Sequence, residues 1–265
     1  TEGTVRWRED LEAVARETFP LSRLVVRETG SERDRGKVRR APEPSVEPGL
    51  VPFLENGLRF YADVSGGQKT GFFLDQRDNR ARLRAAARGK RVLDLFAYTG
   101  AFSVAALAGG AARAVDVESS PAALTLAREH RLANGFLAAD EDFVRADVFE
   151  DLRARAAAGE SWDVVVCDPP AFAKKRGDLA RAARGYQDVN RLAMSLVAPG
   201  GWLLTCSCSG LLTSDLFQKI VFSASVEAGA RFELVARAGA GPDHPVSLDC
   251  PEGEYLKGLW LRRAE

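Results

Sequence analysis

The sequence predicts a doubly wound α/β domain built on a mainly parallel seven-stranded sheet. Two observations lead there. From Arg91 onward, apolar runs of strand length alternate with helical patterns, the mark of a sheet covered by helices on both faces. Several of these strands run out into an acid or a glycine just before a helix begins. In open parallel sheets, ligands sit at such carboxyl ends, near the switch point.

Taken in order, residues 7–18 read as a helix and 23–27 as a strand. Residues 28–49, rich in Arg, Glu, Pro and Gly and without an apolar period, read as a loop or linker. Residues 57–64 alternate enough for a strand. A polar and aromatic segment, residues 66–80, leads into a short helix ending near Gly89. Strands follow at 91–96, 113–117, 143–146, 162–167, 202–207, 232–237 and 256–262, with helices such as 121–134 and 214–228 between most of them. The expected division is a partial small α/β domain over 1–85, with its linker at 28–49, and a main domain over 86–265.

Composition narrows the function classes. At 46% apolar and 28% charged residues the chain fits an ordinary globular protein. No apolar run approaches the ~18 residues of a membrane span, and with a polar N-terminus no signal peptide is expected. Four cysteines, including Cys206 and Cys208, form no secreted disulfide framework, so a cytoplasmic setting is expected. Basic and acidic residues balance at 37 each, so a nucleic-acid role would rest on local patches. Met194 is the only methionine, and a processed chain or a piece of a longer one is expected. His130 and His244 stand alone and the cysteines lack ligand spacing, so no metal site is expected. A homodimer is left open.

The first strand of the main domain ends in Phe96-Ala97-Tyr98-Thr99-Gly100-Ala101. A glycine where strand turns into helix lets a ligand approach the backbone, and the helix start offers free N–H groups. Asp94, inside an apolar strand, needs a partner; it can hold the turn or accept from an ammonium group. At the second strand end, Glu118 is the choice to accept the ribose hydroxyls of a nucleoside, with Asp116 the fallback; Ser119 or Ser120 can cap the next helix. Asp147, followed by Val148, can accept from an adenine amine or simply cap a helix. Asp168-Pro169-Pro170 fixes a rigid corner that presents a carboxylate to a planar group.

The ordered series Asp94/Gly100, Glu118, Asp147 and Asp168-Pro169-Pro170 resembles the class I S-adenosylmethionine-dependent methyltransferases, which have a Rossmann-like fold. That resemblance implies the methionine part at the first loop, the ribose at the second-strand acid and the adenine at the third. The fifth strand ends in Cys206-Ser207-Cys208-Ser209-Gly210. A cysteine at such a tip suits methylation of cytosine C5, because a thiolate adding to C6 makes C5 nucleophilic. Spacing alone does not separate Cys206 from Cys208.

Several segments together are similar to the bacterial 23S ribosomal RNA cytosine-5 methyltransferases of the large subunit. They are residues 67–77, Leu95-Phe96-Ala97-Tyr98-Thr99-Gly100, Asp168-Pro169-Pro170 with Phe172, and Ser207-Cys208-Ser209-Gly210-Leu211. The tail residues Asp243-His244-Pro245 and Pro251-Glu252-Gly253, then Tyr255-Leu256-Lys257-Gly258, complete the set. The match runs from about residue 50 to the end. It implies Cys208 as nucleophile, Asp168 as its electrostatic partner at the base, and S-adenosylmethionine as cofactor. Lys69, Thr70, Gly71, Phe72, Asp75, Gln76 and Arg77 are expected to close the cofactor site, His244 to line its rim, and 23S ribosomal RNA to be the partner. That family carries an N-terminal PUA RNA-binding domain, and no PUA segment is found here. Lys174, Lys175 and Arg176 are expected to meet RNA, together with Lys69, Arg77, Arg80, Arg181 and Arg184. Two rivals are a related guanine-N7 methyltransferase, whose fifth strand ends in Ser-Asn, and a cofactor-binding RNA module without catalysis.

Overall fold

A computed structural model describes residues 7–19, 49–64, 71–173 and 175–265. The chain forms two compact units, Thr1–Val51 with Ala62–Phe72, and Pro52–Tyr61 with Phe73–Glu265. In the smaller unit the helix α1 spans Arg8–Thr18. It has acids in its first turn, an Arg8–Glu12 pair one turn apart at 2.6 Å, and no buried residue. The strand expected at 23–27 and the linker up to residue 48 lie outside the described residues.

Strand β1 (Leu50–Glu55) pairs with β2 (Leu58–Asp63). β1 was not expected, because Pro52 interrupts it and its residues do not alternate. The available signal was Asn56-Gly57. Both residues have positive φ, 51° and 78°, as a two-residue hairpin turn matched to strand twist requires.

In the larger unit, helix α2 (Arg77–Ala86) precedes a regular alternation. This runs β3 (Arg91–Leu95), α3 (Ala101–Ala108), β4 (Arg113–Glu118), α4 (Pro121–Ala133), β5 (Phe143–Arg145), α5 (Val148–Ala157) and β6 (Trp162–Cys167). It continues through α6 (Leu179–Ser195), β7 (Val197–Ser207), α7 (Ser214–Glu227), β8 (Phe232–Ala238) and β9 (Lys257–Arg263). The seven strands lie in the order β5-β4-β3-β6-β7-β9-β8. The first five are parallel and β9 runs antiparallel to both its neighbours.

Alternate strand residues feed two apolar clusters. Leu93, Leu95, Val165 and Leu203 pack with α5, α6 and α7, and Val92, Val164, Val166 and Leu204 pack with α2 and α3. A two-residue period with both faces apolar yields continuous hydrophobic runs, which is why these strands were legible. The expected doubly wound, mainly parallel sheet is therefore present. β7 starts five residues earlier than expected, at Val197, which pairs with Trp162 across an irregularity in β6.

Candidate active site

The β3–α3 loop is conformationally strained. Phe96 and Tyr98 have φ of 58° and 48°, a region that costs non-glycine residues ~1–3 kcal/mol each and clusters at functional sites. The surroundings hold the loop. Ala97 N–H donates to Val117 O (3.2 Å) and Tyr98 N–H to Glu118 Oε2 (3.0 Å). The Phe73 ring meets Tyr98 edge-on at 5.3 Å. Gly100, at φ 68°, has no space for a side chain: a Cβ would lie 2.9 Å from Ala127 Cβ and 3.1 Å from Asp116 Oδ2.

Buried His130 clamps the same loop from behind. Its Nε2 accepts from Tyr61 N–H (2.9 Å), so Nδ1 carries the proton and donates to Thr99 O at 2.8 Å. Burial pushes its pKa below the ordinary histidine value. The sequence reading had seen only a lone histidine, since its partners lie 31 and 69 residues away.

The expected acids fall into distinct roles. Asp116 is fully buried and pairs with buried Arg131 at 2.7 Å, so the fallback ribose acceptor is committed elsewhere. It also accepts from Ser103 Oγ. Asp94, its register partner, is 1% exposed. Burial, then the charges of Asp116 and Asp168, hold its carboxyl well above the usual range. Glu118 is half-buried at the tip of β4. Its Oε1 accepts from Ser119 Oγ (3.1 Å) and Ser120 N–H (2.9 Å), while Ser120 caps α4. Asp147, exposed, caps α5 through one oxygen, accepting from Phe149 and Glu150 N–H. Val148 beside it is buried.

The tips of β6 and β7 bring Asp168 and Cys208 into one neighbourhood. Cys167 pairs with Thr205, so β7 runs two residues beyond β6. Cys206 is fully buried and Cys208 only partly. A Cβ on Gly258 would stand 3.2 Å from Cys206 Sγ and 2.7 Å from Ala238 Cβ, so the glycine lets β9 close over Cys206. Burial drives the Cys206 thiol well above its ordinary pKa. Cys208 is flanked by buried Ser207 and Ser209. Ser209 Oγ donates to Ala173 O (3.3 Å), tying this tip to the loop after Pro169-Pro170.

Asp75-Gln76-Arg77 sits beside these tips. Gln76 Nε2 donates to Asp168 Oδ2 at 2.8 Å, a contact the sequence reading missed. Buried Asp75 accepts from Tyr255 Oη (2.6 Å), and half-buried Arg77 pairs with Asp243 (2.8 Å). The 75–79 segment and the tail thus fold onto each other. A cavity of about 410 Å³ lies in this tail region, lined by Arg237, His244, Tyr255 and Lys257 among others.

Arg80 corrects an expectation. It is 2% exposed and grips Glu55 through two bonds of 2.6 Å, with a third to Phe73 O. It joins α2 to the hairpin and is closed to RNA. Lys175, Arg181 and Arg184 are exposed, although Arg181 pairs with Asp178. Gly71 and Phe72 belong to the smaller unit, where Phe72 is buried. Lys69, Thr70, Lys174 and the side chain of Arg176 lie outside the described residues. Among the described residues no His, Cys, Asp and Glu cluster suits a metal, and no helix is long and apolar enough to cross a membrane.

This sheet order, with a strained loop after β3 and carboxylates at the tips of β4 and β6, defines a class I methyltransferase fold. A model of the S-adenosylmethionine-dependent methyltransferase family matches residues 43–261, and the chain belongs to that family. The family's cofactor is S-adenosylmethionine. The chain is 46% identical over 217 residues to ribosomal RNA large subunit methyltransferase I of Serratia proteamaculans, covering 82% of this chain and 55% of that protein. The Klebsiella pneumoniae protein of the same name matches at 46% identity over 82% of this chain and 54% of its own length. The chain thus spans about half the length of the curated relatives it matches. A solved S-adenosylmethionine-dependent methyltransferase candidate from Streptococcus mutans superposes with a TM-score of 0.72 at 27% identity, over 84% of this chain and 56% of that one.

Proposed function

We propose that this chain carries the catalytic part of an RNA methyltransferase that uses S-adenosylmethionine to methylate C5 of a cytosine in large-subunit ribosomal RNA. The observation that carries the reading is the pair of tips. A partly exposed Cys208, anchored through buried serines on both sides, stands by the Asp168 corner that Gln76 holds. Relatives named as ribosomal RNA large subunit methyltransferases support the substrate class.

The residues fit the cofactor. Asp94 is buried beside Asp116 and Asp168, whose charges both raise its carboxyl pKa, and Arg131 makes its ion pair with Asp116. Such surplus negative charge suits a ligand with an ammonium and a sulfonium group. When bound, S-adenosylmethionine supplies the methyl group. In this reading Glu118 accepts the ribose hydroxyls and Asp147 and Val148 border the adenine. The Phe96–Ala101 loop receives the methionine part, and Pro169 stiffens the corner beneath it.

Cys208 acts as the nucleophile. Its thiolate forms a bond to C6, and the C5=C6 electron pair moves to C5, which takes the methyl group. C5 then gives up its proton to water, the C–H electron pair re-forms the C5=C6 double bond, and Cys208 leaves as thiolate with the S–C6 pair. Asp168 accepts from the exocyclic amine or, when protonated, donates its proton to N3 as the ring gains charge and takes it back as the S–C6 bond breaks. The guanine-N7 alternative leaves Cys208 without a role, because N7 alkylation needs no covalent nucleophile. Exposed Lys175, Arg181 and Arg184 offer cations for RNA phosphates.

The test uses ribosomal RNA carrying 5-fluorocytosine, whose fluorine cannot leave as a proton does. The wild-type chain is expected to trap a covalent protein–RNA adduct, Cys206→Ala to keep it and Cys208→Ala to lose it. Methyl transfer that survives Cys208→Ala would overturn the covalent mechanism.

A further inference from the structure

Lys257 is 5% exposed. Lysine is almost never buried unless it is paired. Its Nζ donates to Ser209 O at 2.7 Å, and a single neutral carbonyl does not balance an ammonium charge. The β7–β9 ladder sets its place: Lys257 is the register partner of Ser207, and Gly258 that of Cys206. The lysine therefore starts opposite the residue before Cys208 and ends on the carbonyl of the residue after it.

We propose that Lys257 is the positioning residue for the nucleophile, its ammonium being held beside Cys208 so that the thiol stays ionised. This rests on the reading of Cys208 as nucleophile. Other titratable groups interact with Cys208 from the surrounding elements: Cys206 on β7, Tyr186 on α6 and Tyr255 before β9. Asp168 at the tip of β6 acts on Cys206 and Tyr186. Each of these is negative when ionised and opposes a thiolate, whereas Lys257 has the opposite sign. Burial lowers the lysine's pKa, while the charges of Cys208 and Glu254 raise it, the reciprocal of the same pairing. On ionisation the Cys208 proton goes to solvent, Nζ keeps its three, and the sulfur electron pair is left to form the S–C6 bond. Lys257 touches neither base nor cofactor in this role.

The experiment follows alkylation of Cys208 by iodoacetamide against pH, quantified by peptide mass spectrometry on the full chain. Wild type, Lys257→Met and Lys257→Arg are compared, and kcat and KM for methyl transfer are measured over the same range. A free thiol titrates near ~8.5, so the wild-type midpoint is expected below that value. Lys257→Met should raise it by about one unit and cut kcat near neutral pH about tenfold, with recovery at alkaline pH and unchanged KM. Lys257→Arg should keep the low midpoint. A wild-type midpoint at or above ~8.5 overturns the proposal, and this needs no variant to fold. An unshifted midpoint in Lys257→Met overturns it too. A low midpoint that rises in Lys257→Met without any methyl transfer upholds the charge pairing and sinks the cytosine reading instead.

Discussion

Replacing Arg131 by Met should destabilise the chain by about 3–5 kcal/mol, the usual result of leaving one partner of a buried ion pair behind. Asp116 is fully buried, and the guanidinium lies 2.7 Å from it while also donating to Ala114 O at 2.9 Å and facing the Phe143 ring at 4.4 Å. Methionine keeps much of the packing and removes the charge, so Asp116 is left next to Asp94 with Ser103 as its remaining donor. For a chain of this size ~1 kcal/mol corresponds to about 2–4 °C in Tm, so a fall of roughly 6–20 °C is expected. The sign of the pH effect follows from burial, which raises the Asp116 pKa even with Arg131 present; without Arg131 it rises further. A carboxyl raised in the folded state contributes stability that is present below its unfolded value of ~3.9 and is lost as pH rises through the folded value. The gap between variant and wild type should therefore widen from about pH 5 to about pH 8. Adding Asp116→Asn should recover much of the loss by removing the stranded charge. Thermal and urea unfolding at both pH values measure this. A loss under ~1 kcal/mol, a gap that narrows as pH rises, or no recovery in the double variant would refute the reasoning. Cofactor affinity should fall as well, because Asp116 Oδ2 lies directly behind the Gly100 turn.

Other expectations test the site around that pair. Glu118→Ala should weaken S-adenosylmethionine binding by ~1–3 kcal/mol, roughly 5- to 150-fold, through loss of a charge-assisted acceptor; calorimetry showing equal affinity would count against the ribose assignment. His130 has a depressed folded pKa, so its contribution is present above its unfolded value of ~6.5 and is lost as pH falls through the folded one. Urea unfolding through that window should show wild type losing stability and His130→Gln following a flatter course.

The β-hairpin shows what local pattern can and cannot carry. Asn56-Gly57 is a turn signal that the strand reading of 57–64 passed over, and Pro52 hid β1, whose hairpin is further secured by a buried Glu55–Arg80 contact 25 residues apart. The same distance effect turned Arg80 from an expected RNA contact into a core ion pair, and hid the pairing of Gln76 with Asp168, 92 residues on.

The sequence by itself determined the doubly wound sheet, the order of acids at the strand ends and the cysteine-bearing tip of β7. These are encoded by neighbours: a two-residue apolar period, Ser120 and Asp147 set to cap helices, and Asp168-Pro169-Pro170 stiffening its own corner. Only the tertiary structure shows how residues of like type at like spacing differ in burial. Cys206 lies in β7 and Cys208 just past its end, both against one apolar cluster; β9 closes over the first through Gly258 and leaves the second partly open. Asp116 and Glu118 differ in the same way, one sealed against Arg131 and one at the rim. Burial and charge pairing arise from segments far apart in the chain, and no local pattern reports which of them will meet.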